Sequence, residues 1–182
     1  MALVHQIQIF LTHKLKDNNL KRKTFAQNSN ILYKTVCNII NSVRSNPELE
    51  TILKIANYFK CSMNEVIGRN EYVSINQKDY NFQIISSEDI NTNLRHFLNK
   101  KLKEKNINPS QLGITIGFSQ EVIPKFLKES NPKKTLSSTV TVALADYFQV
   151  SLDEMVGRIA PTKDTDKSSE QSSNSDSDLN NL

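Results

Sequence analysis

YFKCSMNEVIGR at residues 58–69 and YFQVSLDEMVGR at residues 147–158 are identical at six of twelve positions and conservative at most of the others. A second pair of stretches, FLTHKLKDNNL at 10–20 and FLNKKLKEKNI at 97–107, repeats with a separation two residues shorter. The difference predicts a small insertion in the second copy, near residues 131–140. A repeat at a nearly constant separation indicates that one structural unit occurs twice in the chain.

Each copy divides into about five short helices by its apolar periodicity and helix-end signals. Four apolar groups mark the buried faces of the first four helices of the first copy: Phe10, Leu11 and Leu15; Phe25 and Ala26; Val36, Ile39 and Ile40; and Ile52, Ile55, Ala56 and Phe59. Pro47 is expected in the first turn of the fourth helix. The fifth is expected to begin at a capping box of Ser62 with Glu65 and to end at Gly68. The second copy repeats the fifth-helix signals with Ser151 and Glu154 as the box and Gly157 as the stop, and Pro109 is expected just inside the start of its second helix.

The composition argues against several other classes of protein. No run of about 18 apolar residues is present, so no membrane span is expected. The N-terminus lacks the basic region and small-residue cleavage site of a signal peptide, which predicts a soluble, cytoplasmic protein. Only four glycines occur in 182 residues, which argues against Gly-rich phosphate loops and against a fold of sheets and turns.

The residues that most often carry catalysis or bind metals are scattered. Cys37 and Cys61 fall in predicted helices without a CxxC or Cys/His spacing, and they are expected to be buried free thiols. His5, His13 and His96 have no nucleophile or carboxylate at motif spacing and are expected on the surface. No catalytic residue, metal site or cofactor is predicted.

Positive charge is concentrated near the start of the chain. Residues 1–80 hold 11 Lys and Arg against 6 Asp and Glu, residues 81–160 hold 10 against 8, and residues 161–182 hold 2 against 5. A moderate positive balance fits a polyanionic partner, although an ordinary solvated surface produces the same balance. The positive charge alone therefore does not predict that the protein binds nucleic acid, and a sequence motif is required in support.

The pattern of both copies resembles the lambda-repressor-like helix-turn-helix family, also called the Cro or XRE type. In the first copy it rests on Phe25-Ala26, Asn30, Val36, Pro47, Ala56 to Phe59 and Ser62 to Glu65. In the second copy it rests on Leu112-Gly113, Gly117, Ile123, Pro132, Ala145 to Phe148 and Ser151 to Glu154. The two copies together cover roughly 150 of the 182 residues. The resemblance implies an all-α protein of two tandem five-helix helix-turn-helix domains that regulates transcription by binding duplex DNA.

The resemblance implies that the third helix of the first copy, about residues 32–41, is the recognition helix that enters the major groove. With its apolar stripe turned inward, the expected base contacts are Tyr33, Lys34, Thr35 and Asn38. Lys34 is suited to guanine, Asn38 to adenine and Thr35 to the thymine methyl group. The expected phosphate contacts are Arg22, Lys23, Arg44 and Asn46.

The second copy departs from the family pattern. Its recognition helix, about residues 119–128, contains Pro124, so it is expected to be kinked or shortened. Glu121 stands where the first copy has Lys34, and a carboxylate is repelled by phosphates. The remaining candidates for DNA contact are Gln120, Lys125, Lys133 and Lys134. The alternative for this copy is a dimerisation or ligand-response module.

These features predict a first domain at residues 1–69, a linker or small hairpin at 70–86 and a second domain at 87–160. The hairpin rests on two short alternating stretches, Tyr72 to Ile75 and Phe82 to Ile85. Residues 161–182 are rich in Ser, Asp and Asn and are expected to form a disordered acidic tail.

Two functions follow from this organisation. The first is a sequence-specific transcriptional regulator whose partner is double-stranded DNA, with a homodimer left open. The second is a protein-interaction adaptor or antirepressor that keeps the helix-turn-helix scaffold without reading DNA. Neither a membrane nor a metal is an expected partner.

Overall fold

The computed structural model describes residues 3–43, 46–72, 82–128 and 134–159. These segments are all-helical and contain no strand. The first helical set comprises α1 (Leu3–Asp17), α2 (Arg22–Asn28), α3 (Tyr33–Ile40), α4 (Leu49–Phe59) and α5 (Met63–Val66), followed by a 3-10 turn at Asn70–Tyr72. The second helical set comprises α6 (Asp89–Glu104), α7 (Pro109–Thr115), α8 (Val122–Leu127), α9 (Ser138–Phe148) and α10 (Leu152–Met155). In the described segments, no helix has both the length and the apolar character that a bilayer crossing requires.

The two sets have nearly the same sequence of helix lengths. The first runs 15, 7, 8, 11 and 4 residues, and the second runs 16, 7, 6, 11 and 4. Buried apolar side chains from both sets form one connected cluster, which extends from Ile7 in α1 to Val156 after α10. The sets are therefore packed against each other through apolar contacts as well as joined by the chain.

Helix α1 begins earlier than its predicted apolar stripe. Its buried residues are Val4, Ile7, Leu11 and Leu15, at the spacing of three and four that keeps them on one face. Phe10 lies beside this face, where its ring meets that of Phe59 edge-on with centroids 5.9 Å apart. Phe10 is thus partly buried and packs against the same core as Leu11 and Leu15, and the buried stripe extends further toward the N-terminus than predicted, to Val4.

The turns and helix ends follow the sequence signals with two exceptions. Pro109 opens α7, and Gly68 and Gly157 follow α5 and α10 with φ of +73° and +77°. Pro47 lies outside α4, because Glu48 is the residue that precedes its first turn. The predicted box of Ser62 with Glu65 is also wrong: the Ser62 hydroxyl accepts from the backbone N–H of Asn64 at 3.0 Å. Glu65 pairs with Lys14 at 3.3 Å instead.

The turn that precedes each third helix requires a left-handed residue. Asn30 in the first set has φ +54°, and Gly117 at the matching place in the second set has φ +83°. Asparagine adopts this conformation more readily than most residues that carry a Cβ. The sequence difference between the sets therefore leaves the geometry of this turn unchanged.

Pro124 shortens α8, as the sequence predicted. The helix begins at Val122, so Pro124 is its third residue, whereas the equivalent α3 has eight residues. The first N–H groups of a helix have no partner within it, so proline at this place removes no helical hydrogen bond. The missing N–H is tolerated because the helix starts late.

The connection between the sets contacts both of them. The backbone N–H of Gln83 donates to the carbonyl of Arg158 at 2.9 Å, and the Phe82 ring lies 4.8 Å from the Arg158 guanidinium. The Asn57 amide donates to the carbonyl of Ile85 at 3.5 Å. Residues 82–86 form no strand, so of the two alternatives, linker or small hairpin, this half fits the linker that packs on both sets. Residues 73–81 and the predicted tail at 161–182 lie outside the described residues.

Gly113 in α7 is expected to tolerate no larger side chain. A Cβ at this position would lie 2.7 Å from the backbone oxygen of Ser119, so the turn into α8 would have to move. Gly113→Ala should lower the free energy of unfolding by about 1–3 kcal/mol in urea denaturation. Gly117→Asn, which copies Asn30 of the first set into an open position, is the control and should cost less than about 1 kcal/mol. Equal losses in the two variants would contradict the steric argument.

The two cysteines are expected to react very differently. Cys61 is 7% exposed, and burial raises the pKa of its thiol to about 12. Cys37 is only partly buried, so the prediction that both thiols are buried was wrong for this one. Because the thiolate is the reactive form, iodoacetamide at mildly alkaline pH should alkylate one thiol in the native chain and two in urea. In Cys37→Ser the native chain should remain unlabelled; rapid labelling of that variant would contradict the burial of Cys61.

Candidate nucleic-acid interface

Helix α3 has one buried face and one exposed edge. Val36 and Ile39 are at most 2% exposed and Ile40 is 8% exposed. Outside this stripe, Tyr33 and Lys34 are exposed, and Thr35 and Asn38 are half-buried. The four predicted base-contacting residues therefore lie on the part of α3 that the core does not cover, which we call its exposed edge.

The end of α3 is fixed to α1 by polar contacts that the sequence did not indicate. The Gln8 side-chain amide donates to the carbonyl of Ile40 at 2.8 Å. The Ser42 hydroxyl in turn donates to the Gln8 oxygen at 2.7 Å. These bonds satisfy groups at the C-terminus of α3 and restrict its motion relative to α1. A rigid support of this kind holds the exposed edge in one orientation.

Basic side chains surround Tyr33. A surface groove between the end of α1, the start of α2 and Tyr33 is lined by Lys16, Lys21, Arg22 and Lys23. A second groove, on another side of Tyr33, is lined by Lys23, Gln27 and Lys54 among others. We call the surface formed by Lys16, Lys21, Arg22, Lys23 and Tyr33 the basic face. The sequence analysis named three of these residues and missed Lys16 and Lys21.

Two neighbours shift the pKa of the exposed Tyr33 hydroxyl in opposite directions. Its hydrogen bond with the Cys37 thiol raises the pKa of Tyr33 above its ordinary value, while the positive charge of Arg22 acts to lower it. Tyr33 is therefore neutral at physiological pH and can contribute to a surface that meets a polyanion.

The other two predicted phosphate contacts, Arg44 and Asn46, are not part of the basic face. Arg44 lies outside the described residues. The Asn46 side chain is exposed, and its oxygen accepts a hydrogen bond from the hydroxyl of Ser138, at the start of α9. Asn46 thus links the loop after α3 to the second helical set, a contact that no signal in the sequence suggested.

The second helical set presents no matching group of cations in its described part. Pro109 and Ser110 stand where the first set has Arg22 and Lys23. Lys125 is exposed and forms an ion pair with Glu121, and the hydrogen bond and charge of Lys125 lower the pKa of the Glu121 carboxyl. The two charges offset each other on the edge that corresponds to α3.

The other predicted contacts of the second set are spread out. Gln120 is exposed just before α8. Lys134 is half-buried, and its carbonyl accepts from the Arg95 guanidinium at 3.1 Å. Lys133 lies outside the described residues. Two apolar side chains near this edge, Ile114 and Phe118, are 52% and 36% exposed.

Comparison with known proteins agrees with the geometry of the first set. Residues 11–71 match the family model of the Cro/C1-type HTH DNA-binding domain. The chain is similar to an uncharacterized HTH-type transcriptional regulator of Rickettsia prowazekii, with 49% identity over 72 residues, which are 38% of this chain and 78% of the relative. It is also similar to one of Rickettsia conorii, with 47% identity over 72 residues, 38% of this chain and 66% of the relative. No solved structure matches the chain significantly.

The helical fold, the family match and the relatives together define a DNA-binding transcriptional regulator. More specifically, the chain belongs to the family of HTH-type transcriptional regulators that carry a Cro/C1-type domain.

Proposed function

We propose that the chain recognises a specific duplex sequence by placing the exposed edge of α3 in the major groove. The observation that carries this proposal is that Tyr33, Lys34, Thr35 and Asn38 lie outside the buried apolar stripe of α3, and that Tyr33 is part of the basic face. A groove about 12 Å wide admits one helix, and base edges there present a distinct pattern of donors and acceptors. A helix anchored on one side and polar on the other is suited to that groove.

The residues of this edge have complementary roles in the proposal. Lys34 donates to the acceptors of guanine, Asn38 pairs with the edge of adenine, and Thr35 contacts a thymine methyl group. The cations of the basic face bind phosphates and set the position of α3 on the duplex. Arg44 and Asn46 remain the second phosphate contact on the strength of the resemblance.

We also propose that residues 87–160 are a second, divergent helix-turn-helix domain, with 1–69 as the first domain, 70–86 as the linker and 161–182 as a tail. Support comes from the repeated helix lengths, from the left-handed turns at Asn30 and Gly117, and from the stops at Gly68 and Gly157. With Glu121 paired to Lys125, this domain contacts the DNA backbone and discriminates little between bases.

The test measures equilibrium binding of the full chain to labelled genomic DNA fragments over a range of salt concentrations, with fluorescence anisotropy as the readout. Affinity should fall steeply with salt, because each phosphate contact releases counterions. Replacement of Arg22 or Lys23 by alanine should reduce the slope of log K against log salt by about 1 each. Absence of binding at about 50 mM salt would overturn the proposal.

A second candidate function rests on the exposed Ile114 and Phe118. In the first set the matching positions are Gln27, which is polar, and Ile31, which is only 7% exposed. Apolar side chains on the surface of a domain are typical of sites that bind other proteins. A protein-interaction adaptor would lose its partner when Ile114 and Phe118 are both replaced by serine, while Lys34→Glu would have no effect on function in the cell.

A further inference from the structure

The starts of α5 and α10 cap each other. The Asp153 carboxylate, in α10, accepts from the backbone N–H of Met63 at 3.0 and 3.2 Å and from the Ser62 hydroxyl at 2.5 Å. In return, the side-chain oxygen of Asn64, in α5, accepts from the backbone N–H of Leu152 at 3.2 Å. Asn64 and Asp153 occupy the same position in the two matching stretches. The contacts of the Met63 and Leu152 N–H groups are therefore counterparts with the two sets exchanged, whereas the Ser62 hydrogen bond occurs on one side.

Two equivalent arginines repeat this exchange. Arg69 donates to Asn64 in its own set at 2.9 Å and to the carbonyl of Val150 in the other set at 3.4 Å. Arg158 donates to Asp153 in its own set and to the carbonyl of Cys61 in the other set at 3.1 Å. Cys61 and Val150 are again at matching positions. Both arginines thus connect the two sets in the same way.

The starts of α4 and α9 also meet. A cavity of about 380 Å³ is lined by residues 46–50 from the first set and 135–138 from the second, together with Ser87, Ile90 and Asn91. Residues 46–49 and 135–138 are equivalent in the repeat. The Ser138 hydroxyl donates to the carbonyl of Pro47 at 2.5 Å across this junction. The residues that directly precede α4 and α9 therefore meet at the boundary between the sets.

Exchange of equivalent residues across a boundary is the defining property of a twofold, isologous interface between identical subunits. In this chain both halves of the interface belong to one polypeptide. We propose that one chain is the complete DNA-binding unit, in which the second helical set takes the place of a second subunit and one chain covers two half-sites. This inference rests on the proposed function above.

A twofold relation has consequences for the DNA site. It places α3 and α8 at the same level along the axis, which is how dimeric helix-turn-helix proteins reach two half-sites about one helical turn apart. The two edges are nevertheless unequal, because α8 is shorter and Glu121 replaces Lys34. The operator is therefore asymmetric, with one half read base by base and the other held mainly through its backbone.

The test is selection of binding sites by the full chain from a library of random duplexes, with native mass spectrometry of the selected complex. We expect one chain per duplex and a non-palindromic consensus with a single defined half. Footprinting should show protection of the adjacent, tolerant half. Two chains on a palindrome would overturn this inference and leave the proposed function standing. Failure to enrich any sequence would overturn the proposed function, and this inference with it.

A charge reversal in α8 tests whether the second half-site is occupied. Glu121→Lys restores the cation that the first set has at Lys34, and it should tighten binding to the selected duplex about tenfold at low salt. Glu71→Lys makes the same charge change at an exposed site in the 3-10 turn and should change affinity less than about twofold. Equal effects of the two variants would mean that net charge alone is responsible, and would overturn contact by α8.

Discussion

Asp153→Ala is expected to lower the free energy of unfolding by about 3–5 kcal/mol, which is the usual result of removing one partner from a buried ion pair. The Asp153 and Arg158 side chains are each 1% exposed. Without the carboxylate, the Arg158 guanidinium stays buried and loses its acidic partner. The Ser62 hydroxyl and the Met63 N–H lose their acceptor at the same time, and each unsatisfied buried group costs about 1–3 kcal/mol. Urea denaturation followed by circular dichroism measures the loss.

The chain supplies a matched control for this variant. Asp146 pairs with Arg69, the equivalent arginine, at 2.7 Å, but the Asp146 side chain is 56% exposed. Asp146→Ala should therefore cost less than about 1 kcal/mol, because solvent screens the exposed carboxylate. Asp153→Asn, which reproduces Asn64 of the other set, should fall between the two. If Asp146→Ala and Asp153→Ala destabilise the chain equally, the buried contact between the sets does not have the role assigned to it.

The apolar pattern of the sequence predicted the first set well because burial of a helix face leaves a regular signature. Val36, Ile39 and Ile40 were placed on the buried side of α3 from their spacing, and the structure confirms all three. Prediction failed where a residue has more than one stable environment. Proline is compatible both with the first turn of a helix and with a position just before the helix. Pro47 takes the second position, because Glu48 has an extended backbone and α4 begins only at Leu49.

Contacts between the two sets could not be predicted from periodicity. Ser62 carries a helix-capping signal, and nothing local indicates that its hydroxyl donates across the boundary to Asp153. The sequence nevertheless contains a signal, because the same arginine, Arg69 or Arg158, ends each of the two matching stretches. A buried arginine needs acceptors nearby, and the repeat places Asn64 and Asp153 five residues before the two arginines. Pairing each arginine with the polar residue five positions before it would have predicted a buried polar contact in this part of the fold.

The candidate interface was predictable in part. Tyr33 and Lys34 follow from the outward side of α3, and both are exposed. Lys16 and Lys21 join the basic face only because α1 ends beside the start of α2, which is a property of the packing. Basic residues on different helices can form one surface in the folded protein. The sequence alone does not show which of them are neighbours.

Lys34→Glu is expected to weaken binding to the selected duplex about 100-fold at about 100 mM salt. The variant loses a donor to guanine, which is worth about 1–3 kcal/mol of discrimination. It also places a negative charge among phosphates, whose repulsion adds to the loss. Titration of the labelled duplex by fluorescence anisotropy gives the two dissociation constants. The consensus of the variant should lose its preference at the base pair that Lys34 contacts, whereas loss of a phosphate contact would lower affinity uniformly.

The same substitution should not damage the fold, which makes the result interpretable. Lys34 is exposed in the first turn of α3, and no acidic residue occupies that turn. A glutamate there interacts favourably with the positive end of the helix dipole, so the thermal midpoint should be unchanged or slightly higher. Lys60→Glu, at an exposed position after α4 and outside the basic face, is the charge-matched control and should change affinity less than about threefold. Equal affinities of Lys34→Glu and the unmodified chain would exclude α3 as the reading helix and favour the protein-interaction function.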